Sequence, residues 1–294
     1  MRRITVIGAG FTGAVIAREL ADAGCQVDVF ETRDHIAGNC YTEVDNTTGI
    51  TISRYGAHIF HTGNERVWEY IQRFGHFVPY AHHVKATAKG CVYSLPINLH
   101  TINQFFGTNF TPEEARRYVD YLGDKSIIEP KNFEEQALRF LGIDLYETFF
   151  KGYTLKQWGR DPKEIPASVL KRLPIRFNYD DRYFDHPYQA LPLFGYTQVV
   201  YEMLDHPRIA VQLGVRADRT LAERYDHTFY SGPLDAWFNH SLGRLSYRTL
   251  DFVTEIQAIE SDAQGCPVMN YCDQGTPFTR RIEYKHFAPA NKYE

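Results

Sequence analysis

The sequence predicts an α/β fold with a helical block inserted into it, and three observations carry this prediction. An apolar run near the N-terminus ends in a glycine-rich turn that opens a helix-compatible segment. Residues 98–157 then carry helix-start and helix-stop signals. Strand and turn character returns after Asp161. We therefore expect a parallel α/β body, an inserted helical domain and an antiparallel sheet domain.

The first element is a strand, a glycine turn, a helix and a second strand in direct succession. Residues 4–13 read Ile-Thr-Val-Ile-Gly-Ala-Gly-Phe-Thr-Gly, and a helix-compatible segment follows to Ala23. A second apolar run, Val27 to Phe30, is closed by Glu31. This order is that of a Rossmann-like half-domain that binds a dinucleotide.

Each glycine of the turn has a physical role in that interpretation. Gly8 makes the tight turn, Gly10 lets the backbone approach a pyrophosphate, and Gly13 lets helix and strand pack closely. The helix N-terminus adds free N–H groups and a positive dipole end, and Glu31 can accept hydrogen bonds from ribose hydroxyls. The alternative is a glycine turn without a ligand, which the complete order of elements disfavours.

The next elements follow from local turn and cap chemistry. Val84–Ala88 and Val92–Leu95 predict a hairpin. Thr111 to Glu114 forms a capping box with proline at the first helical position, and a second N-cap signal begins at Asn132. Gly142 is expected to end that second helix. The strands expected later are Ile209–Leu213, Thr228–Ser231, Val253–Ile259, Val268–Tyr271 and Arg281–Tyr284.

The composition limits the classes of protein to which the chain can belong. The 294 residues have room for about two domains, and 44% apolar and 23% charged residues are ordinary for a globular protein. A net charge of −4 argues against general nucleic-acid binding, and no apolar run is long enough to span a membrane. The five cysteines lack metal-ligand spacing, so we expect reduced thiols in a cytoplasmic protein.

A cluster of small residues with two histidines occupies residues 54–62. His58 and His61 are three apart, but no cysteine or carboxylate stands at a fitting distance, so we expect no metal site. A structural hydrogen bond is the simpler interpretation of His58. His61 is the stronger candidate for function, because its loop follows the nucleotide-binding unit.

Three further clusters combine aromatic and cationic residues. In residues 151–160, Tyr153 and Trp158 can stack on a base or cap a sugar face, with domain packing as the alternative. Arg172 and Arg176 are four apart, and their guanidinium forks suit a diphosphate. Residues 279–286 form a similar run. From these segments alone, a solvated basic edge is the favoured interpretation of both arginine clusters.

Taken together, these motifs resemble the UDP-galactopyranose mutase family of flavoproteins. The resemblance runs from residue 4 to the region of His286. The matching segments are residues 8–13, 54–62, 151–160, 171–177, 195–197, 231–235 and 279–287.

The resemblance implies FAD as the cofactor, with no metal. It assigns the following residues to FAD binding: Gly8, Gly10, Phe11, Thr12, Gly13, Glu31, Gly38, Asn39, His58 and His61. Ala37 stands where the family usually has glycine, and its methyl group is expected to tighten the approach to FAD.

The resemblance also implies the reaction. Reduced flavin N5 attacks the anomeric carbon of UDP-galactopyranose and displaces UDP, and the sugar then closes as a furanose. Arg172 and Arg280 hold the diphosphate, and with His61 beside the isoalloxazine they are the catalytic residues. Tyr153 stacks on uracil, Trp158 lines the sugar site, and Tyr183 adds a hydroxyl to the phosphates. Arg176 and Arg281 keep the interpretation of solvated edge residues.

The same resemblance suggests domain limits and partners. The FAD-binding domain is expected at 1–83 and 191–245, the helical domain at 98–157, and the antiparallel sheet domain at 84–97, 158–190 and 246–294. We expect a homodimer through the helical domain and an electron donor such as NAD(P)H or a reductase. Nucleic acid is not an expected partner.

Family members continue with a closing strand and helix of the FAD domain, which we expect this chain to lack. Two alternatives therefore stay open. One is a shortened, catalytically impaired homologue that binds FAD or nucleotide. The other is a mutase for a different nucleotide sugar.

Overall fold

The N-terminal strand, glycine turn and helix form as the sequence predicts.

The structure is a computed structural model that describes residues 3–172, 175–257 and 262–287. It describes all of their side chains except those of residues 171 and 172. The strands are, in chain order, β1 (Arg3–Ile7), β2 (Gln26–Phe30), β3 (Thr42–Val44), β4 (Thr51–Ser53), β5 (Phe60–Thr62), β6 (Phe77–Pro79), β7 (Val84–Ala88), β8 (Cys91–Leu95), β9 (Tyr188–Pro192), β10 (Ile209–Gln212), β11 (His227–Tyr230), β12 (Val268–Tyr271) and β13 (Arg280–Ile282).

The helices begin with α1, which starts directly after Gly10. They are α1 (Phe11–Asp22), α2 (Glu65–Gln72), α3 (Leu99–Phe106), α4 (Pro112–Leu122), α5 (Phe133–Leu145), α6 (Gly152–Trp158), α7 (Gly195–Leu204), α8 (Arg219–Ala222) and α9 (Leu234–Trp237). A π-helix (Tyr146–Lys151) joins α5 to α6, and short 3-10 helices occur at Gly38–Cys40, Pro162–Glu164, Ala167–Arg172 and Tyr284–Phe287. None of the helices in the described part of the chain has the length and apolar character that crossing a bilayer needs.

The chain divides into two compact units. Unit 1 comprises Met1–Tyr80, His186–Ala258 and Tyr284–Glu294, and unit 2 comprises Ala81–Asp185 and Ile259–Glu283. The boundaries of the three domains expected from the sequence, including the separation of a helical domain from a sheet domain, stay a prediction.

Unit 1 is built on a parallel four-stranded sheet in the order β10-β2-β1-β11. Val6, Val27 and Val29 are almost fully buried, because central parallel strands are covered on both faces. Helix α1 packs on the sheet through a stripe of small residues, Ala14, Ala17 and Ala21. A two-stranded sheet (β3-β4) and a three-stranded antiparallel sheet (β5-β9-β6) complete the unit.

Unit 2 combines a four-stranded sheet with the helical block. The sheet order is β13-β12-β7-β8, in which β7 pairs with β12 in parallel and the outer pairs are antiparallel. The sheet is therefore mixed rather than wholly antiparallel. Helices α3 to α5 share an apolar core with it that includes Ile97, Ile102, Leu145 and Tyr146.

Local sequence signals in unit 2 were accurate at the helix starts. Thr111 accepts a hydrogen bond from the Glu114 N–H, and the Glu114 side chain accepts one from the Thr111 N–H, which is the predicted capping box. Gly142 departs from helical geometry with φ of 76°, and two helical stretches meet at this kink within α5. Gly142 therefore ends the first stretch, as predicted, and a second begins after it.

Two strand predictions near the C-terminal end need correction. Residues 253–257, the described part of the predicted strand Val253–Ile259, form no strand, and Val253 is 88% exposed. Strand propensity does not suffice there, because none of the strands in the described part of the chain pairs with residues 253–257. The strand expected at Arg281–Tyr284 lies at Arg280–Ile282, and Tyr284 begins a 3-10 helix.

Candidate functional site

The glycine turn of unit 1 is closely packed against its own backbone. A Cβ atom on Gly13 would lie 1.8 Å from the Gly8 carbonyl oxygen, so only glycine fits this position. Gly8 has φ of +108°, and a Cβ there would lie 2.2 Å from Oγ of Ser231, the residue that follows β11. The turn thus lies at the carboxyl ends of β1 and β11, the edge where open parallel sheets bind ligands.

Glu31 fixes the turn from the neighbouring strand. Its Oε2 accepts a hydrogen bond from the Ala9 N–H at 2.8 Å, and its Oε1 accepts one from the Arg33 N–H at 2.9 Å. The carboxylate is buried, with 9% exposure. Since each carboxylate oxygen has more than one lone pair, acceptor capacity remains for a ribose hydroxyl.

Arg33 extends the same site and was missed by the sequence analysis. Its Nη2 donates to Asn39 Oδ1 at 2.9 Å, and its guanidinium lies over the Tyr55 ring at 4.5 Å. Nη1 is buried and has no hydrogen-bond partner among the residues that the structure describes. An unpaired buried donor is costly, so this atom suits an acceptor oxygen on a ligand. Its position two residues after Glu31 was the available signal.

Gly38 and Gly10 approach each other across the turn. A Cβ on Gly38 would lie 3.2 Å from the Gly10 Cα, and the Ala37 N–H donates to the Ala9 carbonyl at 2.9 Å. Ala37 adopts a left-handed conformation with φ of 70° and is 1% exposed. That geometry explains why glycine suits this position, because a residue with a Cβ pays about 1–2 kcal/mol there.

The two predicted histidines have different surroundings. His58 Nδ1 lies 2.8 Å from the Gly56 carbonyl oxygen, which can only accept, so Nδ1 carries the proton. This is the structural hydrogen bond that the sequence analysis considered. His58 also lines a cavity with Thr42, Ser53 and Tyr196.

His61 pairs with a histidine that sequence reasoning did not find. Its Nδ1 lies 2.7 Å from Nδ1 of His186, and the two rings stack at 4.9 Å. One ring must donate and the other accept, so the pair cannot carry both extra protons. Burial, and then His186, lower the pKa of His61. His61 is therefore held as a neutral ring at neutral pH.

Unit 2 brings together four polar side chains that we term the Arg280 cluster: Arg280, Tyr153, Tyr183 and His82. Arg280 Nη2 donates to the Tyr153 hydroxyl, and the guanidinium lies 5.8 Å from the centre of the Tyr153 ring. Burial raises the pKa of Tyr153, and the positive charge of Arg280 opposes that rise. The His82 and Tyr183 rings meet edge to face at 5.7 Å.

Arg176 and Arg281, which were expected to be solvated edge residues, can be compared with Arg280. Arg176 is 9% exposed and donates to Asp185 and to the carbonyls of Asp180 and Arg182, so it organises the loop that carries Tyr183. It is thus a buried loop anchor, and its interpretation as a solvated edge residue was wrong. Arg281 is exposed and lies over the Phe278 ring at 5.4 Å.

The structure gives less information on the other two predicted substrate-binding residues, Arg172 and Trp158. Arg172 ends the 3-10 helix Ala167–Arg172, and its side chain lies outside the described residues. Trp158 ends α6 and packs, partly buried, against the core of unit 2. Its predicted contact with the sugar stays a prediction.

The buried His82 makes the stability of the protein depend on pH. Burial, together with His83 and Arg280, lowers the pKa of His82 from 6.5 to about 4. Between these values only the unfolded chain binds the proton, so stability falls as pH falls from 6.5 to 4. The expected loss between pH 7 and pH 4.5 is about 2.5 kcal/mol, from about 1.4 kcal/mol per pH unit. Urea unfolding at pH 7 and pH 4.5 measures it.

The control for this prediction is His82→Gln. Other titrating groups change the stability of the parent and the variant alike, so the difference between their pH curves isolates His82. Parallel curves for the two proteins over this range contradict the prediction.

Comparison with known proteins agrees with this architecture. Residues 6–74 match the NAD(P)-binding Rossmann-like domain, and residues 148–294 match the UDP-galactopyranose mutase family. A solved structure of reduced UDP-galactopyranose mutase superposes with a TM-score of 0.70 at 16% identity, covering 99% of this chain and 72% of that one.

Sequence relatives are similar over the whole chain. The chain is 53% identical to a Klebsiella pneumoniae protein described as a probable UDP-galactopyranose mutase, over 100% of this chain and 76% of the relative. It is 50% identical to the dTDP-fucopyranose mutase of Escherichia coli, over 100% and 79%. It is 32% identical to the UDP-galactopyranose mutase of Mycoplasma pneumoniae, over 95% and 73%.

The fold and the glycine turn define a Rossmann-like α/β protein with a dinucleotide-binding turn. The similarity to the relatives is specific beyond that class, since it extends across both units. The chain belongs to the UDP-galactopyranose mutase family, whose members are isomerases. The fold class and the family expected from the sequence are thereby confirmed, while the roles of individual site residues stay predictions.

Proposed function

We propose that this protein is an FAD-dependent isomerase that interconverts UDP-galactopyranose and UDP-galactofuranose with UDP as the leaving group. The contact between Arg280 and Tyr153, near Tyr183, carries the proposal within this family. It places a cation beside an aromatic ring and a second phenol hydroxyl, a combination that suits the diphosphate and the base of a nucleoside diphosphate.

The dinucleotide turn fits FAD on two grounds. Gly10 and Gly38 lie close together, and neither carries a side chain that would keep a pyrophosphate away from the backbone of the turn. Arg33 Nη1, which has no hydrogen-bond partner among the described residues, offers a donor to a phosphate or ribose oxygen, and Glu31 offers an acceptor. When bound and reduced, the flavin supplies the nucleophile for the anomeric carbon. Gly8, Phe11, Thr12, Gly13, Asn39, His58 and His61 complete the proposed FAD contacts.

The chain's own residues have two tasks in this reaction. Arg172 and Arg280 neutralise the charge that develops on the departing diphosphate, and fixed donors of this kind contribute several kcal/mol in a closed site. Tyr183 adds a hydroxyl to the same phosphates. Tyr153 stacks on the uracil and Trp158 bounds the sugar, so that the anomeric carbon is held in position.

The expected partners are part of the same proposal. We infer a homodimer that uses the helical block and a separate electron donor, NAD(P)H or a reductase, to keep the flavin reduced. The sequence-based domain limits and a cytoplasmic location belong to this proposal as well. Size-exclusion chromatography with light scattering measures the oligomer.

Arg172→Ala is expected to abolish turnover and leave the flavin bound, because its proposed contacts are with substrate phosphates alone. Flavin absorbance and turnover, measured on the same preparation, separate the two effects. Activity near that of the parent would remove Arg172 from the site.

The function itself is tested with the purified chain. We expect a yellow protein that converts UDP-galactofuranose to UDP-galactopyranose after dithionite reduction, as followed by liquid chromatography. Turnover by the oxidised protein contradicts the proposal. Bound flavin and UDP without any turnover favour instead a homologue that binds nucleotide without catalysis.

A second candidate is a mutase for another nucleotide sugar. The 50% identity to dTDP-fucopyranose mutase, close to the 53% of the first relative, supports it. Competition binding with UDP, dTDP and GDP distinguishes the candidates, since our proposal expects UDP to bind most tightly.

A further inference from the structure

Helix α6 carries a lysine whose ammonium is surrounded by main-chain oxygens. Lys156 Nζ lies 2.8 Å from the carbonyl oxygen of Tyr271, 3.1 Å from that of Thr276 and 3.0 Å from that of Phe278. An ammonium has three N–H donors, so these three contacts use all of them. Burial lowers the pKa of Lys156, and the nearby Asp273 opposes this.

The three carbonyls lie on one segment: Tyr271 ends β12, and Thr276 and Phe278 lie in the turn that connects β12 to β13. The Tyr271 N–H donates to the Thr279 carbonyl at 2.9 Å, and Asp273 accepts hydrogen bonds from the N–H and the hydroxyl of Thr276 at 2.7 and 2.9 Å. The turn leads directly to Arg280, the first residue of β13. The position of the turn therefore determines where the Arg280 side chain begins.

Three carbonyl oxygens that converge on one point repel one another unless a cation lies between them. Lys156 supplies that cation, and it lies one helical turn after Tyr153 on the same helix. The helix thus contacts the segment twice: Lys156 binds the turn, and Tyr153 contacts Arg280 itself. Both contacts lie within unit 2.

We propose that Lys156 is a positioning residue that fixes the β12–β13 turn to α6 and so holds the Arg280 guanidinium where it binds the substrate diphosphate. This inference rests on the proposed function. Preorganisation is the physical reason for the effect, because a guanidinium that is already placed loses less freedom when phosphate binds. Without the ammonium, the three carbonyls would have to find other donors, and the turn would move.

The first test is Lys156→Met, which keeps the length of the side chain and removes its charge. We expect UDP to bind about tenfold more weakly by calorimetry, within the range of coupling between contacting residues. Lys156→Arg keeps a cation with several donors and is expected to lose less affinity than Lys156→Met. The matched control is Lys151→Met. Lys151 lies just before α6 in a partly exposed ion pair with Glu147, and its change should leave UDP affinity within twofold.

A double-mutant cycle shows whether Lys156 acts through Arg280. In the Arg280→Ala background, Lys156→Met should weaken UDP binding less than twofold further, because the side chain that it positions is gone. An equal loss in both backgrounds overturns the inference, since it indicates a general effect on the fold. Parent-like UDP binding by Lys156→Met overturns it as well.

A readout without substrate separates this inference from the proposed function. Hydrogen exchange of the amides of residues 271–281 should be faster in Lys156→Met than in the parent and in Lys151→Met. Unchanged exchange overturns the inference even if UDP binds. If exchange rises but the parent does not bind UDP, the proposed function fails, and with it the role of Lys156 towards a diphosphate.

Discussion

Arg280→Ala is expected to lower the turnover of the reduced enzyme by about 10²–10³-fold while leaving flavin absorbance unchanged. Removing one fixed donor to a developing negative charge typically has this effect. Among the described residues, Arg280 supplies the positive charge of the Arg280 cluster through its contact with Tyr153. The Tyr153 hydroxyl is neutral and cannot replace that charge. The measurement is the rate of conversion of UDP-galactofuranose under dithionite, with UDP affinity measured separately by calorimetry.

The neighbouring arginine provides the matched control. Arg281 lies next to Arg280 in β13, and adjacent residues of a strand point to opposite faces of the sheet. Its guanidinium lies over the Phe278 ring, so Arg281→Ala should change turnover less than tenfold. A variant without Arg280 that keeps more than a tenth of the parent rate would refute the role assigned to this residue.

Gly13→Ala is expected to destabilise unit 1 by about 3 kcal/mol or more and to prevent flavin binding. The new methyl group would lie 1.8 Å from the Gly8 carbonyl oxygen, and a backbone atom in a tight turn cannot move aside as a flexible side chain can. Urea unfolding and the flavin absorbance of the purified protein measure the two effects.

Gly10→Ala is the comparison variant, which separates an effect on flavin binding from an effect on stability. A Cβ on Gly10 would lie 3.7 Å from the Gly38 Cα, an ordinary contact, so stability should change by about 1 kcal/mol at most. Flavin binding should still fall, because the methyl group occupies the face where a pyrophosphate approaches the backbone. Full flavin content in Gly10→Ala would mean that the pyrophosphate does not lie against Gly10.

Local features of the fold could be predicted from the sequence because their causes are local. The order of strand, glycine turn, helix and Glu31 needs only neighbouring residues, and the Thr111 capping box lies within four residues. The predicted strand at Val253–Ile259 was wrong in its described part for the opposite reason. A strand requires a partner, and a short window of sequence does not show whether one is present.

The candidate site depended much more on contacts between distant residues. Tyr153 and Arg280 are 127 residues apart, and His61 and His186 are 125 apart. From their own segments, the arginine runs were better explained as solvated edges, and only the family resemblance selected Arg172 and Arg280. The three carbonyls around Lys156 left no pattern that spacing reveals, and the only signal for Arg33 was its position two residues after Glu31.

The carboxylate of Glu31 has a consequence for how the protein acquires its cofactor. Both of its oxygens are engaged by backbone N–H groups of the chain itself, at Ala9 and Arg33. The binding turn is therefore shaped by internal contacts and can form while the chain folds, before any nucleotide arrives. The cofactor then binds to a preformed turn. The rate constant for its association should therefore depend on diffusion and local charge, without a slow step in which the turn becomes ordered.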